Sequence, residues 1–373
     1  MFKISIFLLL NFYFVYCVLD EGDTCSHVAN SPIDNGLPGI CMKYQECTKV
    51  KELWEKKLLR KNQVTRCNIA KRIICCPREE ERISEKKCKE YGKALNSVVR
   101  LTPMLGQRPT EINVNKCAHK SVSLIFGGEV AKNHEFPHQA LLGFSPRNKI
   151  VNWICGGSLV SPRFVLTAAH CLYKQRYGHV KKVKLGMNRR DQNHDNRKVF
   201  VLNVKETFKH PNYNEQTFNE DIALLKLNGI VPIDKHVLPI CMPTKEHDNY
   251  KALATGFGAT KTQTQSDALL KVVLERFDHS DCKEAWPEDG IVQIDEETML
   301  CFGHHTQRKD TCRGDSGGPL QISNDENVSC TYTQIGISSF GPERCGTVSI
   351  PSAYTNVFNY IDWIEEIVWG DEA

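Results

Sequence analysis

Gly314-Asp315-Ser316-Gly317-Gly318-Pro319 decides the reading of this chain. A serine stands among glycines, the residue that lets a backbone turn tightly enough to aim neighbouring N–H groups at one point. A serine hydroxyl is a poor nucleophile until a base takes its proton. Working outward, such a base stands at His170 in Thr167-Ala168-Ala169-His170-Cys171. A carboxylate able to fix its tautomer and stabilise its cation stands at Asp221, in Asn219-Glu220-Asp221-Ile222-Ala223-Leu224-Leu225. The amides of Gly314 and Ser316 would then form an oxyanion hole. One histidine among 13 says little, but three such motifs in the order His, Asp, Ser argue strongly against chance.

The sequence around these motifs is β-rich. From Ile125 onward, short runs such as WICGGSLV, RFVLTA, KVFVLNV, DIALLKL, LKVVLERF and QIGISSF alternate with turn residues, the pattern of an all-β barrel or sandwich. The chain closes on VFNYIDWIEEIV, where Val357, Ile361, Ile364 and Ile367 recur at helical spacing and predict a C-terminal helix.

The 373 residues carry a formal charge of only +4, which gives no reason to expect nucleic acid as a partner. The 17 cysteines are more telling, because a reducing compartment has little use for so many. Lys3 and the largely apolar stretch from Ile4 to Val15 read as a signal peptide, cut after Cys17, and as too short to span a membrane. No other stretch is long and apolar enough for a span. Losing Cys17 leaves an even number of cysteines, suited to closed bridges in a secreted, extracellular protein. Cys25, Cys41, Cys47, Cys67, Cys75 and Cys76 crowd a segment too short for a core of its own, so bridges must hold it. Residues 78–124 read as a linker. Within it EEERISEKKCKE at 79–90 looks like a solvated charge run, tethered through Cys88 and Cys117.

From Ile125 to about Gly370 the chain resembles the chymotrypsin/trypsin family of serine proteases. That resemblance implies two six-stranded antiparallel β-barrels with the active site between them. It places Asp310 at the base of a pocket for arginine or lysine, and Ser339-Phe340-Gly341 as the strip that pairs with substrate backbone. Ser352 stands in the pocket wall where glycine is usual and narrows the pocket. The implied bridges are Cys155–Cys171, Cys282–Cys301, Cys312–Cys345 and Cys117–Cys241. A further family bridge is missing, its positions held by Ala252 and Ile322, which leaves Cys88 and Cys330 as candidates to pair with each other. The implied activation is cleavage between Leu124 and Ile125, after which the Ile125 amine pairs with Asp315.

The Cys75-Cys76 ending of the N-terminal module resembles the clip domain of arthropod serine proteases. Six cysteines admit about 15 pairings; the resemblance implies Cys25–Cys75, Cys41–Cys67 and Cys47–Cys76. The expected layout is therefore a signal peptide (1–17), a clip domain (18–77), a linker and activation segment (78–124) and a protease domain (125–373). The architecture is similar to the Snake/Persephone-like group, clip subfamily C. This implies a zymogen in an extracellular immune (Toll or melanisation) or developmental cascade. Its partners would be a downstream protease zymogen as substrate, an upstream activator that accepts leucine, and a serpin inhibitor. The competing function is a non-catalytic clip-domain homologue acting as a binding cofactor; such proteins usually lose the nucleophile, whereas Ser316 is present.

Three weaker signals remain. His134-Glu135-Phe136-Pro137-His138 spells a zinc-protease motif, but that chemistry needs both histidines on one helix face, and Pro137 breaks a helix. In the protease register the stretch is an entry strand. The loop at 189–198 lies where trypsin holds calcium, yet Met187 replaces a needed carboxylate, so neither metal nor cofactor is expected. Asn327-Val328-Ser329 is a glycosylation sequon.

Overall fold

The computed structural model describes residues 19–25, 39–57, 59–60, 63–68, 70–77, 81–94, 96–101, 110–115, 129–146, 150–191, 198–260, 263–286, 294–307, 310–324, 332–342 and 344–372. They fall into two compact units, divided between Glu81 and Arg82.

In the first unit, β1 (Thr24–Cys25), β2 (Gly39–Lys43), β3 (Arg66–Asn68) and β4 (Ile73–Pro77) form an antiparallel sheet in the order β1-β2-β4-β3. Side chains alternate along a strand, so adjacent Cys75 and Cys76 send their bridges to opposite faces. Cys75 bonds Cys25, Cys76 bonds Cys47, and Cys41 bonds Cys67. On one face Val50 of helix α1 (Thr48–Glu55), Leu59 and Ile74 pack around the Cys47–Cys76 bridge. Gly39 is required by the other bridge, because a Cβ there would overlap Cys75 Sγ and come within 2.7 Å of the Cys76 carbonyl.

The second unit begins with helix α2 (Ile83–Ala94) and a hairpin, β5 (Asn96–Leu101) and β6 (Thr110–Asn115). β7 (Glu129–Val130) follows. The first barrel comprises β8 (Gln139–Phe144), β9 (Asn152–Ser161), β10 (Phe164–Thr167), β12 (Gly178–Leu185), β13 (Phe200–Lys209) and β14 (Ala223–Leu227), with the short β11 (Tyr173–Lys174) hung on β12. It closes because β12 pairs with β8 as well as with β13. The second barrel comprises β15 (Lys251–Gly256), β16 (Leu270–Arg276), β17 (Met299–Gly303), β18 (Pro319–Ser323), β19 (Tyr332–Phe340) and β20 (Ser352–Asn356). Pairing of β15 with both β16 and β18 closes it, and β7 attaches to its outer rim on β16. Two closed six-stranded antiparallel barrels are thus the architecture the sequence led us to expect.

Helix α3 (His279–Ala285) is tied to β17 by Cys282–Cys301. After a 3₁₀ turn, Val357–Tyr360, helix α4 (Ile361–Trp369) ends the fold with Ile361, Ile364 and Val368 buried in the main core. Ala252 and Ile322, which replace the absent bridge, meet instead in one apolar cluster of the second barrel. Among the described residues no helix is long and apolar enough to cross a membrane.

Four expectations need correction. From residue 83 the charge run expected at 79–90 is not a solvated linker: α2 turns Ser84, Cys88 and Tyr91 inward at i, i+4 and i+7, the spacing of one helical face. Arg82 makes ion pairs with Asp362 and Glu365 of α4, and the Ser84 hydroxyl donates to Glu365 Oε1 at 2.5 Å. Tyr91 packs on Leu238. The same face brings Cys88 to Cys241, and the two sulfurs are bonded. This overturns both Cys117–Cys241 and Cys88–Cys330, because Cys241 and Cys88 can each be bonded only once. Cys117 and Cys330 themselves lie outside the described residues. Finally, residues 133–138 are turns rather than an entry strand, with His134 in the left-handed region at φ 59°. Glu135, only 2% exposed, pairs there with Lys271 at 2.8 Å.

Candidate active site

β10 ends at Thr167, and the chain enters a 3₁₀ turn, Ala169–Cys171, that lifts His170 out of the first barrel. The Cys155–Cys171 bridge staples this turn to β9. Asp221 sits just before β14 and is fully buried. Its Oδ1 accepts the His170 backbone N–H at 2.9 Å, and its Oδ2 lies 2.7 Å from His170 Nδ1. Ser339 donates its hydroxyl to the same Oδ2 at 2.5 Å, and Thr355 donates to the Asp221 carbonyl at 2.9 Å. Burial opposes ionisation of Asp221, but the His170 ring, the Ser339 hydroxyl and the His170 backbone N–H outweigh it and hold the carboxyl below its usual pKa. A carboxylate so placed fixes Nδ1 as the protonated nitrogen and leaves Nε2 as the base.

The approach to Asp221 is strained. Phe218 and Glu220 both adopt positive φ, 58° and 57°, a conformation that costs energy for residues with bulky side chains. Phe218 places its ring 5.9 Å from that of His170.

Ser316 lies in a tight turn before β18. Gly314 and Gly317 have φ of 104° and 79°. A Cβ on Gly317 would overlap the Thr167 hydroxyl and approach the Gly156 carbonyl to 2.7 Å, so only glycine lets this turn dock against β9. The Ser316 carbonyl accepts from Gly156 N–H at 2.8 Å, and the Gly317 N–H donates to Ser338 at 2.7 Å. Among the described residues, neither the Gly314 nor the Ser316 N–H donates to a protein acceptor, so both remain for an incoming oxygen. The structure thus brings His170, Asp221 and Ser316 to the junction of the two barrels. The His170–Asp221 arm is complete. Among the described residues Ser316 Oγ makes no hydrogen bond to the ring, whose Nε2 lies 3.6 Å from Cys171 Sγ.

Two buried carboxylates flank the turn. Asp310 Oδ1 accepts from Thr311 N–H and from the Ser352 hydroxyl, each at 2.8 Å, while the buried Oδ2 accepts no hydrogen bond among the described residues. Burial pushes this carboxyl up to about 7, against the pull of Ser352 and the backbone donors. Gly341 faces Ser352 so closely that any Cβ there would overlap the hydroxyl. Asp315 is held by Gly258 N–H at 2.7 Å and Cys312 N–H at 2.9 Å, and burial pushes it up to about 6. Among the described residues no cation pairs with it. Beside both carboxylates lies a cavity of about 690 Å³, bordered by Gly256, Gly258 and Lys271. Leu124, Ile125 and Asn327 lie outside the described residues.

The sequence did not reveal that Ser339 and Thr355 brace Asp221, nor that Ser352 caps Asp310. These partners lie 118, 134 and 42 residues away, and no local pattern signals them. The zinc motif is dispersed: His134 meets His236 edge to face, ring centres 4.1 Å apart, whereas His138 packs among Phe136 and Tyr332.

The trypsin family model matches residues 125–364. The chain belongs to the trypsin family. CLIP domain-containing serine protease B4 of Anopheles gambiae is 29% identical over 350 residues, covering 90% of each chain. Serine protease snk of Drosophila melanogaster is 32% identical over 316 residues, 80% of this chain and 68% of that one. Melanization protease 1 of the same fly is 32% identical over 272 residues, 68% of this chain and 67% of that one. This member of the trypsin family is accordingly an arthropod clip-domain serine protease, a trypsin-like endopeptidase with a disulfide-rich N-terminal module.

Proposed function

We propose that the chain is a secreted zymogen, cut after Leu124 by a protease that accepts leucine, and that it then cleaves a downstream protease zymogen after arginine or lysine in an extracellular cascade. The observation that carries this reading is Asp315: a buried carboxylate with no cation on it among the described residues, beside a cavity and next to Ser316. β7 docks Glu129 and Val130 on Lys271 and Leu270, two residues that also border this cavity. Residue 125 is four positions upstream of Glu129, within a reach of about 14 Å. Its free amine, with an ordinary pKa of about 7.7–8.0, is a cation near neutral pH.

Asp315 carries a pKa above its unfolded value, so it favours folding below about pH 4 and loses that contribution as pH rises through about 6. The loss is on the order of 3 kcal/mol. Pairing with the Ile125 amine would recover much of it, which is what makes the cut a switch.

In the activated enzyme, Ser316 Oγ attacks the scissile carbonyl carbon while its proton passes to His170 Nε2. Asp221 stabilises the imidazolium that forms. The carbonyl oxygen becomes an oxyanion held by the Gly314 and Ser316 N–H groups. His170 then gives the proton to the departing amine, and a water repeats the sequence to free the acyl group. Asp310 would receive the arginine or lysine side chain on its open Oδ2. The trypsin-type pocket, the cascade placement and the Snake/Persephone-like grouping rest on resemblance and on relatives such as snk and Melanization protease 1.

Active-site titration tests the scheme. Protein cut after Leu124 should react stoichiometrically with an arginine ester titrant, and uncut protein should not. Equal reactivity of both forms would sink the switch. A pH series tests the pocket. Asp310 must be ionised to hold a cation, so KM for an arginine substrate should rise as pH falls below about 7, and Asp310→Asn should lose that dependence. A flat KM across pH 5.5–8 in the unaltered enzyme (roughly the span over which such a carboxyl titrates) would count against it.

A further inference from the structure

Glu220 stands immediately before Asp221 with φ at 57°, a conformation that only glycine adopts without cost. None of the chemical steps uses its carboxylate. We infer that Glu220 is a positioning residue: its side chain, gripped by His210 and Tyr360, fixes the backbone that presents Asp221 to His170. The inference rests on the triad reading above and adds the group that keeps one arm of the triad in line.

The backbone comes first. The Ile222 N–H donates to the Glu220 carbonyl at 2.8 Å, which closes a three-residue turn with Asp221 at its centre. The His210 N–H donates to the Ile222 carbonyl at 3.1 Å, and the Asn214 N–H to the Asn219 carbonyl at 3.1 Å. Relaxation of φ at Glu220 would therefore turn the peptide that carries Asp221. That carboxylate meets His170 through both oxygens, at 2.9 Å to the backbone nitrogen and 2.7 Å to Nδ1. Hydrogen bonds weaken steeply with angle, so a small rotation would loosen both.

The side chain supplies what resists that rotation. Glu220 Oε2 lies 3.4 Å from His210 Nδ1. Burial lowers the pKa of His210 against the pull of Glu220, so near neutral pH the ring is neutral and its Nδ1–H can donate. The ring meets Tyr360 and Trp363 edge to face, with centres 5.2 and 5.3 Å apart. Burial and the Glu220 carboxylate both raise the pKa of the Tyr360 hydroxyl, which stays a proton donor toward Glu220. Among the described residues, neither His210 Nδ1 nor the Tyr360 hydroxyl has an acceptor elsewhere. Tyr360 is only 4% exposed and belongs to the main core, and Trp363 rides on α4, whose Ile361 and Ile364 are buried there. The Glu220 carboxylate is thus held by groups that the core keeps still.

The test measures kcat and KM on a small arginine amide, per titrated active site, in protein cleaved after Leu124, with a melting curve on each sample. The unaltered enzyme prepared in the same way is the reference. Glu220→Ala should lower kcat about tenfold and leave KM within about twofold, because Asp310 and the substrate strip are untouched. Glu220→Gln keeps an oxygen for both donors and should recover most of that loss. Tyr360→Phe removes a single hydroxyl from the core and should lower kcat about threefold or more. Adding it to Glu220→Ala should cost nothing further, because the two side chains act as one unit. A purely structural role would lower the melting temperature and leave kcat per site unchanged; that result in Glu220→Ala or Tyr360→Phe would overturn the inference. So would losses that multiply in the double variant, or a Gln variant no better than Ala. Should Glu220→Ala not fold, Tyr360→Phe decides alone. Failure of the unaltered enzyme to hydrolyse the amide would instead defeat the triad reading, and this inference with it.

Discussion

Ser316→Ala, in protein cleaved after Leu124, is expected to lower kcat/KM on an arginine peptide by on the order of 10⁴–10⁶-fold. The remainder would come from binding and from the Gly314 and Ser316 amides, which the substitution keeps. The fold should survive, because the turn depends on the positive φ of Gly314 and Gly317 and on backbone bonds to Gly156 and Ser338. Steady-state kinetics with a melting curve on the same sample checks both halves. Substantial peptidase activity in a clean preparation would mean that Ser316 is not the nucleophile. Loss of activity together with a large drop in melting temperature would mean that the serine was structural.

The second large effect concerns who can switch the enzyme on. Wild-type zymogen mixed with trypsin should yield almost no chain beginning Ile125-Phe126-Gly127-Gly128, whereas Leu124→Arg should be activated roughly 10³-fold faster or more. A trypsin-type pocket that receives leucine leaves its buried carboxylate with no counter-charge. Asp310 is such a carboxylate, with Oδ2 accepting no hydrogen bond among the described residues, so the enzyme should be equally poor at cutting its own zymogen. N-terminal sequencing and titration of active sites over time would follow both proteins. Self-maturation of the wild type at Leu124, accelerating with concentration, would contradict a zymogen that waits on a protease of different specificity.

Much of this was legible in the sequence because the chemistry is written in short contiguous runs. The glycines around Ser316 must be local to shape one turn, and His170-Cys171 needs its staple beside it. The β-rich texture and the terminal helix were equally local. What could not be read was contact across the fold. Ser339 and Thr355 reach Asp221 only because β19 and β20 pass behind it, and Ser352 reaches Asp310 only because β20 lines the pocket. The α2 segment misled for a different reason. Its buried face is Ser84, Cys88, Tyr91 and Gly92, with lysines and glutamates around them, too sparse and too polar a stripe to stand out from a solvated charge run. Once that helix forms, Cys88 lies against Cys241, and proximity in sequence to the activation site gives Cys117 no advantage.

The Cys88–Cys241 bond therefore anchors the chain upstream of the cut rather than beside it. Only Pro77 to Cys88 connects the last strand of the N-terminal unit to that anchor, and none of this stretch is severed when Leu124 is cleaved. Residues 89–124 acquire a free end, but the short leash between the two units is the same in the precursor and in the enzyme. Wherever the N-terminal unit is held, cleavage after Leu124 would leave the protease covalently tied to it, so the tether is set before activation and is not altered by it.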